Sequence, residues 1–101
     1  MAFKENLAAL PEAQGKRLRL LDEAGREVSV IENAPGTAGS FRVYALLAEK
    51  HGGINTAAAQ EGLAIYAEHT EDARLHPGKH PNIDRLLDLL VSGAVLRAVV
   101  E

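Results

Sequence analysis

Three of the four histidines lie within one twelve-residue window, at His69, His76 and His80. Asp72 lies three residues after His69, so on a helix the two side chains would share one face. A carboxylate and imidazoles that converge in this way can bind zinc or another divalent transition metal. The window therefore supplies four candidate binding residues, His69, Asp72, His76 and His80, with no particular metal indicated.

Three interpretations of the segment 69–80 are open at this stage. It would form a metal- or proton-responsive site if its side chains converge, although a proline and a glycine between His76 and His80 break any helical alignment. It would support acid–base, and hence hydrolytic, chemistry, but no motif ties a nucleophile to it, so we assign no catalytic residue. It would otherwise be a structural clasp whose polar groups satisfy one another. We favour the clasp and predict no cofactor, with a divalent transition metal as the alternative.

A glycine-rich loop provides a second candidate site. Residues 33–39 have the composition of a loop, and Ser40 is expected to cap the helix that follows. A strand, a loop and a helix start in this order can bind an anion at the helix N-terminus. Neither the dinucleotide-binding nor the P-loop glycine pattern is present. The candidate anion-binding residues are Gly36, Gly39 and Ser40.

Composition narrows the class of protein. The 101 residues suffice for a single domain spanning 1–101, and 47% hydrophobic with 25% charged residues is typical of a soluble globular chain. A net charge of −3 and only four Phe and Tyr residues argue against nucleic-acid binding. No apolar run is long enough to cross a membrane, and the first residues do not resemble a secretory signal. With no cysteine present, we expect a cytoplasmic location.

Alternating patterns place a hairpin in the first third of the chain. Residues 17–20 and 27–30 alternate between apolar and polar side chains, and the intervening segment from Asp22 to Gly25 suits a tight turn. This turn predicts a register with Leu20 opposite Val28, and Leu18 opposite Val30. The apolar segment 94–100 is expected to join the same sheet as a third strand.

Helical patterns fill the rest of the chain. A short helix covers residues 3–10, and a second follows Ser40. A third begins after its N-cap Asn55 and runs to about residue 74, and a fourth begins after its N-cap Asn82. Gly62, inside the third helix, indicates the close approach of another backbone. The order predicts an α+β fold, with a β-hairpin and a C-terminal strand forming a small three-stranded, mostly antiparallel sheet packed against helices.

One face of this sheet is expected to need cover. In the predicted register Leu21 and Ile31 share a face with two arginines, and the last strand is apolar on both sides. Exposed apolar area of this kind usually marks an interface, and a two-fold dimer is its commonest form. We therefore predict a homodimer, with a further protein partner as an open possibility.

Several segments resemble one known family. The stretches 67–74 and 76–86 (EHTEDAR within the first, HPGKHPNIDRL the second), together with residues 3–7 and 51–55, resemble a small bacterial family of uncharacterised function. The resemblance implies a bacterial, cytoplasmic, stand-alone domain and brings no activity, substrate or site residue. We accordingly expect a non-enzymatic binding or protein-interaction domain, with the metal- or proton-responsive site as the alternative.

Overall fold

The structure of the protein is a computed structural model that describes residues 2–101. Its elements follow in the order α1 (Phe3–Ala9), β1 (Arg17–Leu21), β2 (Glu27–Glu32), α2 (Ala38–His51), α3 (Thr56–Tyr66), α4 (Glu68–Leu75), α5 (Pro81–Ser92) and β3 (Arg97–Val100). The strands form one antiparallel sheet in the order β2-β1-β3. The predicted α+β fold with a three-stranded sheet is thereby confirmed.

The predicted hairpin forms, but its register is wrong by one residue. Leu18 pairs with Ile31 and Leu20 with Ser29, and a bulge beyond Leu20 leaves Val28 without a partner on β1. A one-residue shift moves every side chain of a strand to the opposite face. The observed register buries Ile31, which is larger than valine and gains more from leaving water.

The shift also changes which side chains need cover. Ile31 and Leu21, expected on the open face, are only 2% and 8% exposed. Val28 and Val30, expected in the core, are 50% and 37% exposed instead. The face of the sheet away from the helices therefore presents valines, where the sequence pattern had predicted Leu21 and Ile31.

The predicted third helix is two helices. The chain breaks at Ala67, which has φ 52° and ψ −117°, and α4 then continues in a new direction against α5. The hydroxyl of Thr70 in α4 donates to the carbonyl of Leu63, 2.6 Å away, and so satisfies an acceptor near the end of α3. No glycine or proline marks this break, which is why the sequence pattern missed it.

Two of the three predicted N-caps are displaced. Asn55 caps α3 as predicted, with its side chain accepting from the amide of Ala58. The prediction for Ser40 is wrong, because α2 already begins at Ala38 and Ser40 lies in its first turn. The prediction for Asn82 is also wrong, because Pro81 opens α5, at a position where its missing N–H costs nothing.

The core lies between the inner face of the sheet and the helices. At its centre Gly62 lets α3 approach its neighbours: a Cβ there would stand 2.7 Å from Leu86 Cδ1 and 2.9 Å from Leu47 Cδ1. The close approach predicted at Gly62 is therefore made by side chains, and the neighbouring backbone stays farther away. Within residues 2–101, no helix combines the length and the apolar character that a membrane crossing requires.

Candidate functional site

The two segments singled out in the sequence meet at one cleft. It has a volume of about 360 Å³ and lies where α1, the starts of α2 and α5, and the α3–α4 break come together. Gly36 and Ser40 of the glycine-rich segment and His69 and His80 of the histidine segment all line it. Its full lining is Phe3, Gly36, Thr37, Ser40, Tyr66, His69, Lys79, His80, Pro81, Asn82 and Ile83.

The glycine-rich segment contributes its residues unequally. Gly36 adopts φ 93° in the turn before α2 and faces the cleft. Gly39 lies outside the lining, because α1 packs on it: a Cβ there would come within 3.3 Å of Leu7 Cδ2 and 3.7 Å of Phe3 Cζ. Gly39 therefore serves the contact between two helices, while Gly36 and Ser40 reach the cleft.

Ser40 is oriented by a neighbouring tyrosine. The hydroxyl of Tyr66 donates to Ser40 Oγ over 2.7 Å, and burial raises the pKa of this tyrosine, which keeps the phenol protonated. Because Ser40 Oγ accepts this bond, the hydrogen of its own hydroxyl is left to donate to another acceptor. The pair supplies a hydrogen-bond donor fixed between α2 and α3.

Asp72 organises the histidine-rich corner. Its Oδ2 lies 2.6 Å from Nε2 of His80 and 2.8 Å from Nζ of Lys79, and its Oδ1 lies 3.8 Å from Nε2 of His76. The hydrogen bond from Lys79, followed by that from His80, lowers the pKa of Asp72 to about 2. One carboxylate of α4 thus holds the loop that leads into α5.

His69 is separate from that cluster. Its ring meets Phe3 edge-on at a centroid distance of 5.2 Å and lies 5.7 Å from the ring of His80. The four candidate binding residues therefore do not form one group. His76 and His80 lie beside the carboxylate of Asp72, whereas His69 contacts the rings of Phe3 and His80. Within the described residues, no group of three or more His, Cys, Asp or Glu side chains is arranged to hold a metal ion.

An aromatic wall closes the other side of the cleft. The ring of Phe3 stacks on that of Tyr66, with centroids 5.1 Å apart and planes 20° from parallel. The amide of Phe3 donates to the carboxylate of Glu68, 2.7 Å away, which ties α1 to the start of α4. Phe3, Tyr66 and Lys79 were not among the site residues predicted from the sequence, since each comes from a different part of the fold and no local spacing links them.

A half-buried cation, Arg85, lies next to Asn82 at the cleft. Arg85 donates to Asn82 Oδ1 at 2.9 Å, to the hydroxyl of Tyr44 at 3.1 Å and to Ser29 Oγ at 2.8 Å. All three acceptors are neutral, so no contacting carboxylate cancels the guanidinium charge. The positive charge of Arg85 therefore lies one hydrogen bond away from Asn82, which lines the cleft.

Comparison with known proteins places the chain in a family. A family model described as an uncharacterized protein conserved in bacteria (DUF2322) matches residues 3–100. The chain belongs to this family. The resemblance seen in the sequence is confirmed, and the match includes every residue that lines the cleft. No curated protein and no solved structure matches the chain.

A second cleft of about 400 Å³ lies between residues 11–14, α2 and β3 in this DUF2322 member. Its lining includes Arg42, whose Nη2 already donates to the carbonyl of Leu10 over 2.6 Å. It also includes the exposed carboxylates of Glu12 and Glu49. Its lining therefore contains carboxylates, which the lining of the cleft beside His69 and His80 does not.

Proposed function

We propose that this DUF2322 protein is a binding domain for a small organic anion, held in the cleft beside His69 and His80. One observation carries the proposal: the described residues of the lining include a lysine and two histidines, and no aspartate or glutamate. The chain as a whole is acidic, with 14 Asp and Glu against 11 Lys and Arg. A concave surface with this local charge favours an anion.

The polar end of the cleft offers donors of three kinds. Lys79 supplies an ammonium group, which also binds Asp72 over 2.8 Å and has further hydrogens to donate. Ser40 supplies a hydroxyl hydrogen, and Asn82 a backbone amide in the first turn of α5. Amides in a first turn have no carbonyl partner within their own helix. A carboxylate or phosphate at this position would accept from all three groups.

Both helices that begin at the cleft lack a side-chain cap. His80, the N-cap of α5, makes no capping hydrogen bond, and Thr37, the N-cap of α2, gives its hydroxyl to the carbonyl of Glu32 instead. Side-chain caps normally satisfy part of the free amides at a helix start. An anionic ligand between α2 and α5 would take over that role and gain from the positive ends of both helix dipoles.

The opposite end of the cleft is apolar. Phe3, Tyr66 and Ile83 supply two stacked rings and a branched side chain. The volume of about 360 Å³ falls within the range of small-molecule sites. The ligand class that fits both ends has one carboxylate or phosphate on a hydrophobic, preferably aromatic, body.

A titration followed by backbone amide NMR tests this proposal with four probes: benzoate, acetate, inorganic phosphate and neutral benzamide. We expect benzoate to bind more tightly than acetate or phosphate, with shifts at Ser40, His69 and Asn82, and benzamide to bind least. Equal binding of benzamide and benzoate would contradict an anion site. Shifts confined to residues outside the cleft, or none with any probe, would contradict the cleft itself.

A matched pair of variants assigns the binding to the cleft. Lys79→Gln removes the ammonium of the lining, and Lys16→Gln removes an exposed one outside the lining. A hydrogen bond to a charged group contributes about 1.5–3 kcal/mol, so the Kd for benzoate should rise about tenfold or more in Lys79→Gln. Lys16→Gln should bind as the parent does. Equal Kd values for the two variants would remove the cleft from consideration.

The expected context of this function is a cytoplasmic protein that acts as a homodimer. Support for the cytoplasm is the absence of cysteine from the sequence, which suits a reducing compartment. Support for the homodimer comes from the outer edge of the sheet at β2, where Val28 and Val30 are 50% and 37% exposed. Fractionation of the native host followed by immunodetection would test the location.

A further inference from the structure

Both oxygens of Asn82 already accept hydrogen bonds from the protein. Its Oδ1 accepts from Nη1 of Arg85, 2.9 Å away, and its main-chain carbonyl accepts from the hydroxyl of Tyr44. Among the described residues, the lining of the cleft includes Asn82 but neither Arg85 nor Tyr44. The two acceptors of Asn82 are therefore engaged by partners outside the lining.

The chemistry of these partners fixes the direction of the hydrogen bonds. A guanidinium group donates and cannot accept, so Oδ1 of Asn82, and not Nδ2, must face Arg85. Burial raises the pKa of Tyr44 to about 12, which keeps the hydrogen of its hydroxyl available to donate. The amide of Asn82 therefore cannot turn over without placing its NH2 group against a group that only donates.

Arg85 is itself held by two other elements of the fold. Its Nη2 donates to Ser29 Oγ of β2 over 2.8 Å, and its Nη1 donates to the hydroxyl of Tyr44 in α2 over 3.1 Å. The guanidinium also lies over the ring of Tyr44, 5.5 Å from the ring centroid. Contacts to a strand and to a second helix thus fix the guanidinium, which in turn sets the orientation of the Asn82 amide.

The nitrogens of Asn82 are left for a ligand. Within residues 2–101, Arg42 Nε is the one buried side-chain nitrogen or oxygen without a partner, so Asn82 Nδ2, which has no partner in this range, is in contact with solvent. The main-chain amide of Asn82 lies in the first turn of α5 and has no carbonyl partner within its helix. A ligand in the cleft therefore meets donors at Asn82, whose acceptors are occupied.

We propose that Asn82 is the specificity-determining residue of the cleft and that Arg85 is its positioning residue. This inference rests on the anion-binding function proposed above, and adds to it the residue that distinguishes a carboxylate from a carboxamide of the same shape. A carboxylate offers acceptor oxygens to the donors of Asn82, whereas a primary amide has an NH2 group in place of one of those oxygens. A site built to hydrogen-bond one of two similar ligands rejects the other when polar groups are left unpaired.

Replacement of the Asn82 amide by a carboxylate of the same shape tests the assignment. In Asn82→Asp one oxygen stays on Arg85, and the other puts an acceptor in the place of Nδ2. We expect the Kd for benzoate to rise about tenfold or more. Benzamide, which can donate to the new oxygen, should then bind at least as tightly as benzoate. The fold should be kept, because a carboxylate beside a guanidinium in the first turn of a helix is favourable, and urea unfolding checks this.

Gln60→Glu is the matched control for Asn82→Asp. It makes the same change from amide to carboxylate at an exposed position of α3 that lies outside the lining. This variant should keep the preference of the parent for benzoate. Equal weakening of benzoate binding by the two variants would overturn the role of Asn82 and leave the anion site standing. A parent that binds neither probe, or binds both equally, would overturn the anion site and the role of Asn82 together.

Arg85→Lys tests the positioning role, because it keeps the positive charge and removes the planar fork of donors. Without the fork the Asn82 amide can turn over, so the ratio of the Kd for benzamide to the Kd for benzoate should fall towards one. Ser29→Ala, which removes one support of the guanidinium, should change the ratio in the same direction and is the milder variant if Arg85→Lys does not fold. Lower stability with an unchanged ratio would overturn the positioning role.

Discussion

Asp72 Oδ2 and His80 Nε2 lie 2.6 Å apart, across the turn that joins α4 to α5. Lys79 reaches the same oxygen over 2.8 Å, so a single carboxylate oxygen holds two consecutive residues of the turn. Both of these residues line the cleft. The carboxylate that orders this wall of the cleft stays outside the lining itself, which leaves the lining free of negative side chains.

Removing this carboxylate should change how stability depends on pH. The folded-state pKa of Asp72, about 2, lies below its ordinary value of 3.8, so the ionised side chain stabilises the folded state. That stabilisation is full above the ordinary value and is lost as pH falls through about 2. Asp72→Asn should therefore be less stable than the parent at pH 6, and the difference should shrink between pH 4 and pH 2. Urea unfolding at several pH values measures this.

Asp88→Asn is the control for Asp72→Asn, since Asp88 is an exposed residue on the next helix. Its effect on the free energy of unfolding at pH 6 should be small. If both variants lose stability equally at pH 6, the contacts of Asp72 contribute nothing beyond a surface charge.

The break at Ala67 should tolerate glycine better than alanine. Ala67 has φ 52° and ψ −117°, a backbone conformation that glycine adopts easily and alanine does not. Relief of this strain, about 1–3 kcal/mol, exceeds the 0.5–1 kcal/mol that glycine costs in conformational entropy. Ala67→Gly should therefore raise the free energy of unfolding by about 1 kcal/mol. Ala64→Gly, at an exposed position within α3, should lower the free energy of unfolding by about 1 kcal/mol. Chemical denaturation should therefore find that Ala67→Gly stabilises the protein and that Ala64→Gly destabilises it.

Replacement of Gly62 by alanine should destabilise the protein, because there is little room for a methyl group at this position. Leu86 and Leu47, whose Cδ1 atoms a Cβ would approach to 2.7 and 2.9 Å, are fully buried, so both side chains would have to shift within the core. Overpacking costs about 1–3 kcal/mol, against about 1 kcal/mol gained from the helix propensity of alanine. Gly62→Ala should thus destabilise by up to about 2 kcal/mol in thermal or urea unfolding. Gln60→Ala, exposed on the same helix, should be neutral or slightly stabilising, and a stabilised Gly62→Ala protein would contradict this packing.

Alkaline titration should find both tyrosines protected. Burial raises the pKa of Tyr44 to about 12 and also raises that of Tyr66, while unfolded tyrosine ionises near 10.0. The neutral phenols therefore contribute stability that is complete below pH 10 and is lost as pH rises through about 12 for Tyr44. With no tryptophan present, absorbance at 295 nm reports tyrosinate directly. At pH 11 we expect little tyrosinate in the folded protein. In 8 M urea at the same pH, most of the tyrosine side chains should be ionised.

Local patterns were sufficient for several parts of the fold. The turn from Asp22 to Gly25 is closed as predicted, with the amide of Gly25 bonded to the carbonyl of Asp22. Asn55 caps α3, and Gly52 ends α2 with φ 73°. Each of these features depends on hydrogen bonds or backbone freedom within a few residues, so the neighbouring side chains determine it.

Other features were decided by contacts between distant segments. The register of β1 on β2 follows from burying Ile31 in a core that helices complete, and the turn alone was compatible with either register. The break at Ala67 lets α4 pack on α5, a tertiary contact, whereas the local sequence alone favours one continuous helix.

The candidate site shows the same division. The sequence determined the chemical groups: a histidine-rich segment around His69 and His80, and a glycine-rich segment around Gly36 and Ser40. Only the tertiary structure brought the two segments to one cleft and placed Phe3 and Tyr66 opposite them. It also placed Asp72 outside the lining, where its carboxylate binds His80. Residue type and spacing report what a side chain can do, whereas convergence depends on how five helices and a sheet bury their apolar faces together.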